Sequence, residues 1–337
     1  MTKQPHDALF KASLTPEAAR ALCRAVLPPA LASVLGGAEL RQEGTDFIEE
    51  NLKERRSDVL FSARLGERET LVYVLAEAQS TNEPLMTFRV LRYMVRIWSW
   101  WLERQAEAGN QNPKTLPLIV PVVVYTGEGH WSAPVSFQEL IDLPSTLARA
   151  DALAVVPNFR FVLDDLTRTT DPEIRARQAP PFATVSWVFL RRSHDPERGV
   201  EVWRGCGDLV RDVLERHPEW HGWLEQLVRY SLLTGMGTPE ELREELRRIG
   251  GPEAEEVTVT AGEKLLEEVR TRAREDGERR LLLRQLREIF GPLSAAVERR
   301  VAHASEADLE SWALRVLKAP SLDAVFGAPS SDEDQGA

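Results

Sequence analysis

Apolar residues recur along the first part of the chain with two periods, and the switches between them mark the elements. Residues 7–27 carry an amphipathic helical pattern that breaks at Ser13-Leu14-Thr15-Pro16. Thr15 suits an N-cap, Pro16 the first turn of a second helix, and Pro28-Pro29 its end. Residues 45–49 (TDFIE) suit a short strand, and residues 57–65 (SDVLFSARL) alternate as a strand does. Gly66-Glu67-Arg68 makes a hairpin turn into a second strand over 69–79. Its unbroken apolar middle, Leu71 to Ala76, predicts burial on both faces. Met86, Val90, Met94, Ile97 and Trp101 repeat at helical spacing and predict a long helix over about 84–107. Residues 116–125 (LPLIVPVVVY) are apolar and β-branched, which predicts a buried strand. Pro117 and Pro121 within it argue for an edge position or a local break.

Beyond this, a strand candidate (FRFVL) lies within 151–163, and helical patterns cover 182–192, 200–232, 239–249 and 263–290. Residues 281–326 read as a small helical unit interrupted by Gly291-Pro292, and the polar, acidic end SSDEDQGA predicts disorder. The expected fold class is therefore α/β (α+β), helix followed by antiparallel strands, helix and strand, with a helical C-terminal region. The expected organisation is a core over 1–200, a helical extension over 201–275, a small helical domain over 276–327 and an acidic tail over 328–337.

Composition narrows the classes. With 337 residues, 43% hydrophobic and 28% charged, the chain is globular. No apolar run approaches the ~20 residues of a membrane span, and the first residues, MTKQPHDALFK, lack the apolar stretch of a secretory signal. The two cysteines, Cys23 and Cys206, suggest neither a disulfide framework nor a zinc site, so a cytoplasmic location is expected. The net charge of -11 argues against coating nucleic acid by bulk charge. The excess is uneven, however: residues 1–137 hold about 15 Lys and Arg against about 16 Asp and Glu. A DNA contact would therefore be a local basic surface on the N-terminal part.

The residues that could carry chemistry are Asp58, Glu77 and Gln79. Asp58 sits near the start of one strand of the predicted hairpin, and Glu77 and Gln79 sit at the end of the other. Alternation puts Glu77 and Gln79 on one face and Ala78 on the opposite one. Positions 58 and 77 sum to 135, so a turn centred at 67–68 would set them across from each other. Two carboxylates at the end of a buried sheet repel each other and resist desolvation. A hard divalent cation, magnesium or manganese, relieves both problems, and it would lower the pKa of a water and polarise a phosphodiester oxygen. The plainer alternative is a pair of strand-end carboxylates neutralised by Arg55 and Arg56.

Further motifs run in order along the chain: His6-Asp7-Ala8-Leu9-Phe10-Lys11, Leu27-Pro28, Arg55-Arg56-Ser57-Asp58-Val59-Leu60 and Glu77-Ala78-Gln79-Ser80. Met86, Arg89, Tyr93 and Trp98 follow, then Leu116-Pro117, Pro121, Tyr125-Thr126-Gly127 and Trp131. On these residues the chain resembles the Rpn family of recombination-promoting nucleases, also labelled "putative transposases", within the PD-(D/E)XK nuclease superfamily. The resemblance covers about residues 6–200. Residues 281–326 are similar to a small helical domain of unknown function appended to some members. The resemblance implies a PD-(D/E)XK restriction-endonuclease-like core, DNA as the substrate, and Asp58, Glu77 and Gln79 in the catalytic positions. Gln79 stands where the wider superfamily has Lys, and its amide could orient the attacking water. Ala78 departs from the family, which has His there.

Other candidates carry weaker patterns. His6, Asp7 and Lys11 could approach the site or simply form a capped, solvated helix start. Arg89, Arg92 and Arg96 share one helix face and could grip DNA phosphates, or form a solvated face. Tyr125 could cover the site or pack in the core. His217 and His221 have the spacing of a zinc pair but no third ligand is evident. The expected function is a magnesium-dependent DNA endonuclease that promotes recombination. The alternative is an inactive nuclease-fold protein acting as a binding module, and the helical C-terminal region suggests a homo-oligomer.

Overall fold

A computed structural model describes residues 4–44, 58–66, 68–77, 83–146, 148–217 and 220–327. It divides into two units, residues 1–262 and 263–337, and the division falls inside one helical stretch.

The chain starts with three helices, α1 (Gln4–Ser13), α2 (Pro16–Val26) and α3 (Pro29–Leu35). The break between α1 and α2 is where the sequence puts it: the Thr15 hydroxyl accepts from the Ala18 amide and Pro16 opens the helix. Pro28-Pro29 stop α2 but do not stop helix formation. Pro29 is the first residue of α3, where its missing N–H costs nothing.

Among the described residues the sheet has five strands in chain order: β1 (Leu40–Glu43), β2 (Asp58–Leu65), β3 (Arg68–Glu77), β4 (Leu118–Tyr125) and β5 (Val162–Asp165). β1, β2 and β3 are antiparallel; β4 joins β3 in parallel and β5 joins β4 in parallel. The strand expected over 45–49 lies outside the described residues. The hairpin between β2 and β3 closes at Leu65 and Arg68, and the turn opens at Gly66, which takes φ +63°, as a two-residue hairpin favours. The expected turn was one position later.

β4 is an interior strand, so of the edge position and the local break that its prolines allowed, the edge position does not hold. Pro121 pairs with Tyr73 on one side, while β5 begins only at Val162, opposite Val122. The proline thus sits where β4 still has one neighbour, a local edge within a central strand.

Two apolar layers cover the sheet. Leu60, Leu71, Ile119, Val123 and Tyr125 pack on Met86, Val90, Tyr93, Met94 and Ile97 of α4 (Met86–Glu107). Trp101 closes that layer, and Trp98 donates its indole N–H to the Pro117 carbonyl at 3.0 Å. The opposite face, with Val59, Phe61, Val72, Val122 and Val124, joins a larger core. That core takes in α1 and α2 together with α6 (Asp171–Ala176), α7 (Pro181–Arg192), α8 (Gly199–Gly205), α9 (Gly207–Arg216) and α10 (Trp220–Thr234), whereas α5 (Arg149–Leu153) buries no residue. Residues 202–261, read in the sequence as an extension, contribute Trp203, Val210, Leu227, Leu246 and Ala261 to this same core.

The helical stretch α11 (Pro239–Phe290) is broken at Gly251, whose φ +75° and ψ -161° are open to glycine alone. In the second unit, Leu282 and Leu286 of α11 pack on Val301, Leu309, Trp312, Val316, Val325 and Phe326. These come from α12 (Ala295–Ala302), α13 (Glu306–Val316) and α14 (Leu322–Phe326), and the Arg300 guanidinium lies over the Trp312 and Phe326 rings. The fold is mixed α/β with a helical C-terminal region, as expected. No helix among the described residues is long and apolar enough to cross a membrane.

Candidate functional site

The antiparallel ladder places Asp58 opposite Leu75, two residues short of Glu77. The pairing expected from the sequence set 58 against 77; the tighter turn slips each partner by two. A slip of two preserves parity, so 58, 75 and 77 keep to one register class, whereas a slip of one would have separated them. Glu77 is the last residue of β3 and pairs with Tyr125, the last residue of β4, which in turn pairs with Asp165, the last of β5. Asp58 opens β2, so four strand termini meet at one end of the sheet. Asp58 and Glu77 are diagonal cross-strand neighbours, about 7–8 Å apart in a regular ladder. The side chains of Asp58 and Glu77 and the whole of Gln79 lie outside the described residues.

Around this end the described side chains are tightly engaged. Tyr125 is fully buried, stacks edge-on against Trp131 at 5.1 Å and donates its hydroxyl hydrogen bond to the Glu128 carbonyl at 3.3 Å. Asp165 accepts from the Trp131 amide at 3.0 Å, the Thr167 amide at 3.1 Å and the Thr167 hydroxyl at 2.6 Å. Those three donors make Asp165 a clasp for the turn after β4 rather than a spare ligand. Among the described residues, no group of three or more His, Cys, Asp or Glu side chains gathers as a metal ion requires. A groove of about 1130 Å³ is at the other end of the sheet, lined by Ser62, Arg64, Thr70, Trp101 and Arg104.

The remaining sequence candidates separate. His6 is on α1, with Nδ1 3.0 Å from the Tyr230 hydroxyl and the two rings edge to face. Burial, and then the charge of His194, push its pKa down to about 4 from an ordinary 6.5. A histidine held neutral in this way adds stability that is complete above pH ~6.5 and is lost as the pH falls toward 4. The expected contribution is about 2–3 kcal/mol between pH 7 and 4.5. Urea unfolding of the wild type and of His6→Asn at both pH values checks it, because the carboxylates common to both cancel. Equal pH dependence of the two proteins would contradict it.

Asp7 is half-buried in the first turn of α1 and Lys11 is exposed in its last. The three arginines of α4 do not form one exposed row. Arg89 is 12% exposed, pairs with Glu83 at 2.9 Å and donates to the Tyr93 hydroxyl at 3.1 Å, whereas Arg92 is exposed and Arg96 half-buried. Sequence reasoning missed His194, whose Nε2 meets the Thr126 carbonyl at 2.6 Å. No motif surrounds it; only its distance from the strand ends in space marks it.

Residues 4–213 match the family described as "Putative transposase, YhgA-like". The chain is 33% identical over 238 residues to "Recombination-promoting nuclease RpnD" of Escherichia coli O157:H7, covering 69% of this chain and 83% of that protein. It is 29% identical over 236 residues to "Inactive recombination-promoting nuclease-like protein RpnE" of Escherichia coli (strain K12), covering 69% and 72%. It is 36% identical over 124 residues to "Recombination-promoting nuclease RpnA" of the same strain, covering 36% and 40%. No solved structure matches. With the match spanning α1, the whole sheet and most of the helices behind it, the chain belongs to the YhgA-like family.

Proposed function

We propose that the chain is a magnesium-dependent DNA endonuclease of the PD-(D/E)XK type that acts in recombination, with Asp58 and Glu77 as metal ligands and Gln79 beside them. The observation that supports this most is the strand pairing, which keeps positions 58 and 77 in one register class at one end of the sheet. The donor set fits the ion: two hard carboxylates suit magnesium or manganese, and no thiol or imidazole belongs to the set. A bound divalent cation supplies Lewis acidity, activating a water and drawing charge from the scissile phosphate. The Gln79 amide orients the water by hydrogen bonding. Tyr125, buried beside Glu77 in the ladder, keeps bulk water from the far side of the pair. Arg92 and Arg96 of α4 meet the DNA backbone, while Arg89 fixes the start of that helix through Glu83.

The test is plasmid nicking with magnesium, with chelator, and with magnesium restored, beside Asp58→Ala. Cutting that needs the metal and is lost in the variant is expected. Equal cutting by both proteins would sink the reading as contamination. Absence of cutting by the wild type, with DNA still bound, would favour an inactive binding module; the name of RpnE shows that the family includes inactive relatives. Single-stranded DNA, duplex DNA and RNA compared under the same conditions separate a DNA enzyme from an RNA-directed one.

A further inference from the structure

His194 lies just past α7, on a different element from every other residue of the proposed site. Its Nε2 sits 2.6 Å from the carbonyl oxygen of Thr126, and its Nδ1 lies 3.9 Å from Glu128 Oε1. A carbonyl can only accept, so Nε2 carries a proton and donates it to Thr126, while Nδ1 faces Glu128. Thr126 is 4% exposed and follows the last ladder residue of β4. Its carbonyl is therefore a buried acceptor just beyond the sheet, and a buried carbonyl requires a donor. His194 supplies it from a separate layer of the fold. The end of α7 does not depend on this contact, because Arg191 and Arg192 already anchor it to Asp171 at 2.8 Å each.

The turn that His194 pins starts at Tyr125, the register partner of Glu77. Fixing the Thr126 carbonyl thus fixes the strand end against which Glu77 is laid. We infer that His194 is a positioning residue for the strand-end site, holding the β4 terminus so that Glu77 keeps its register. This rests on the nuclease reading above. Displacement of a reacting constellation by about 1 Å can cost about 10²-fold in rate, so the loss of one such brace is expected to be visible in turnover.

The experiment compares wild type, Asp58→Ala, His194→Ala and His194→Gln in magnesium-dependent plasmid cutting, with rate and DNA concentration dependence measured separately. His194→Ala is expected to lower kcat about tenfold with KM for DNA changed less than about twofold. His194→Gln is expected to recover most of the loss, since its amide N–H can donate to the same carbonyl. A His194→Ala protein with wild-type kcat overturns the inference while leaving the nuclease reading intact. So does equal impairment of both variants accompanied by equal loss of melting temperature, which would make the residue ordinary packing. A wild type that fails to cut overturns the nuclease reading and this inference with it.

Discussion

Glu77→Gln is expected to lower magnesium-dependent cutting about 10³-fold, with the melting temperature close to wild type. Glutamine matches the shape of glutamate and keeps the backbone donors and acceptors of β3, so the ladder with β2 and β4 persists. What disappears is one negative charge. A cation held by two carboxylates is held far less well by one, and the several kcal/mol of charge stabilisation that a metal gives a transition state is lost with it. About 4 kcal/mol corresponds to about 10³-fold in rate. Single-turnover nicking over a magnesium titration, with circular dichroism melting alongside, measures both halves of the expectation. A variant that cuts within threefold of wild type at every metal concentration would remove Glu77 from the site.

The second large effect concerns the fold that carries the site. Arg177→Ala is expected to cost about 3–5 kcal/mol of unfolding free energy. Its guanidinium makes two hydrogen bonds to Asp164 at 2.7 and 2.8 Å, with 8% and 5% of the two side chains exposed. It also lies 5.6 Å from the centre of the Trp187 ring. Removal of the arginine leaves the Asp164 carboxylate buried without its counter-charge, next to the Asp165 clasp at the end of β5. The pair of changes Asp164→Leu and Arg177→Met is expected to be far milder than Arg177→Ala, because no charge is then left behind. Urea unfolding of the three variants decides it. If Arg177→Ala loses less than about 1 kcal/mol, the pair contributes no more than a surface bridge does.

The parts of the fold legible in the sequence are those where periodicity and capping agree. Thr15-Pro16 fixes the start of α2, Gly66 fixes the hairpin, and the row from Met86 to Trp101 fixes the buried stripe of α4. What escapes has physical reasons. β1 is four residues with a single buried side chain, Leu40, too short for an alternating pattern to register. Pro29 reads as a stop from the left and is a start from the right. Pro121 suggests an edge because the sequence cannot show that β5 joins one residue later. Arg89 reads as a surface cation by composition, yet Glu83, six residues earlier, draws it inward. The expected pairing of 58 with 77 is off by two residues, and only the parity of the two positions is legible, because a period of two tolerates a slip of two. His194 carries no local signal: its significance comes only from Thr126, distant by 68 positions in the chain.

The bond between His6 and Tyr230 joins positions 224 apart. A protein trimmed at residue 213, where the family match stops, would retain β1 to β5 but leave the imidazole on α1 facing solvent or an empty hole. It would also strip Leu224, Leu227 and Val228 from the apolar mass behind the sheet. The stretch recognisable by kinship is thus shorter than the stretch that must fold together, and attempts to isolate the sheet-bearing unit should extend to about Gly262.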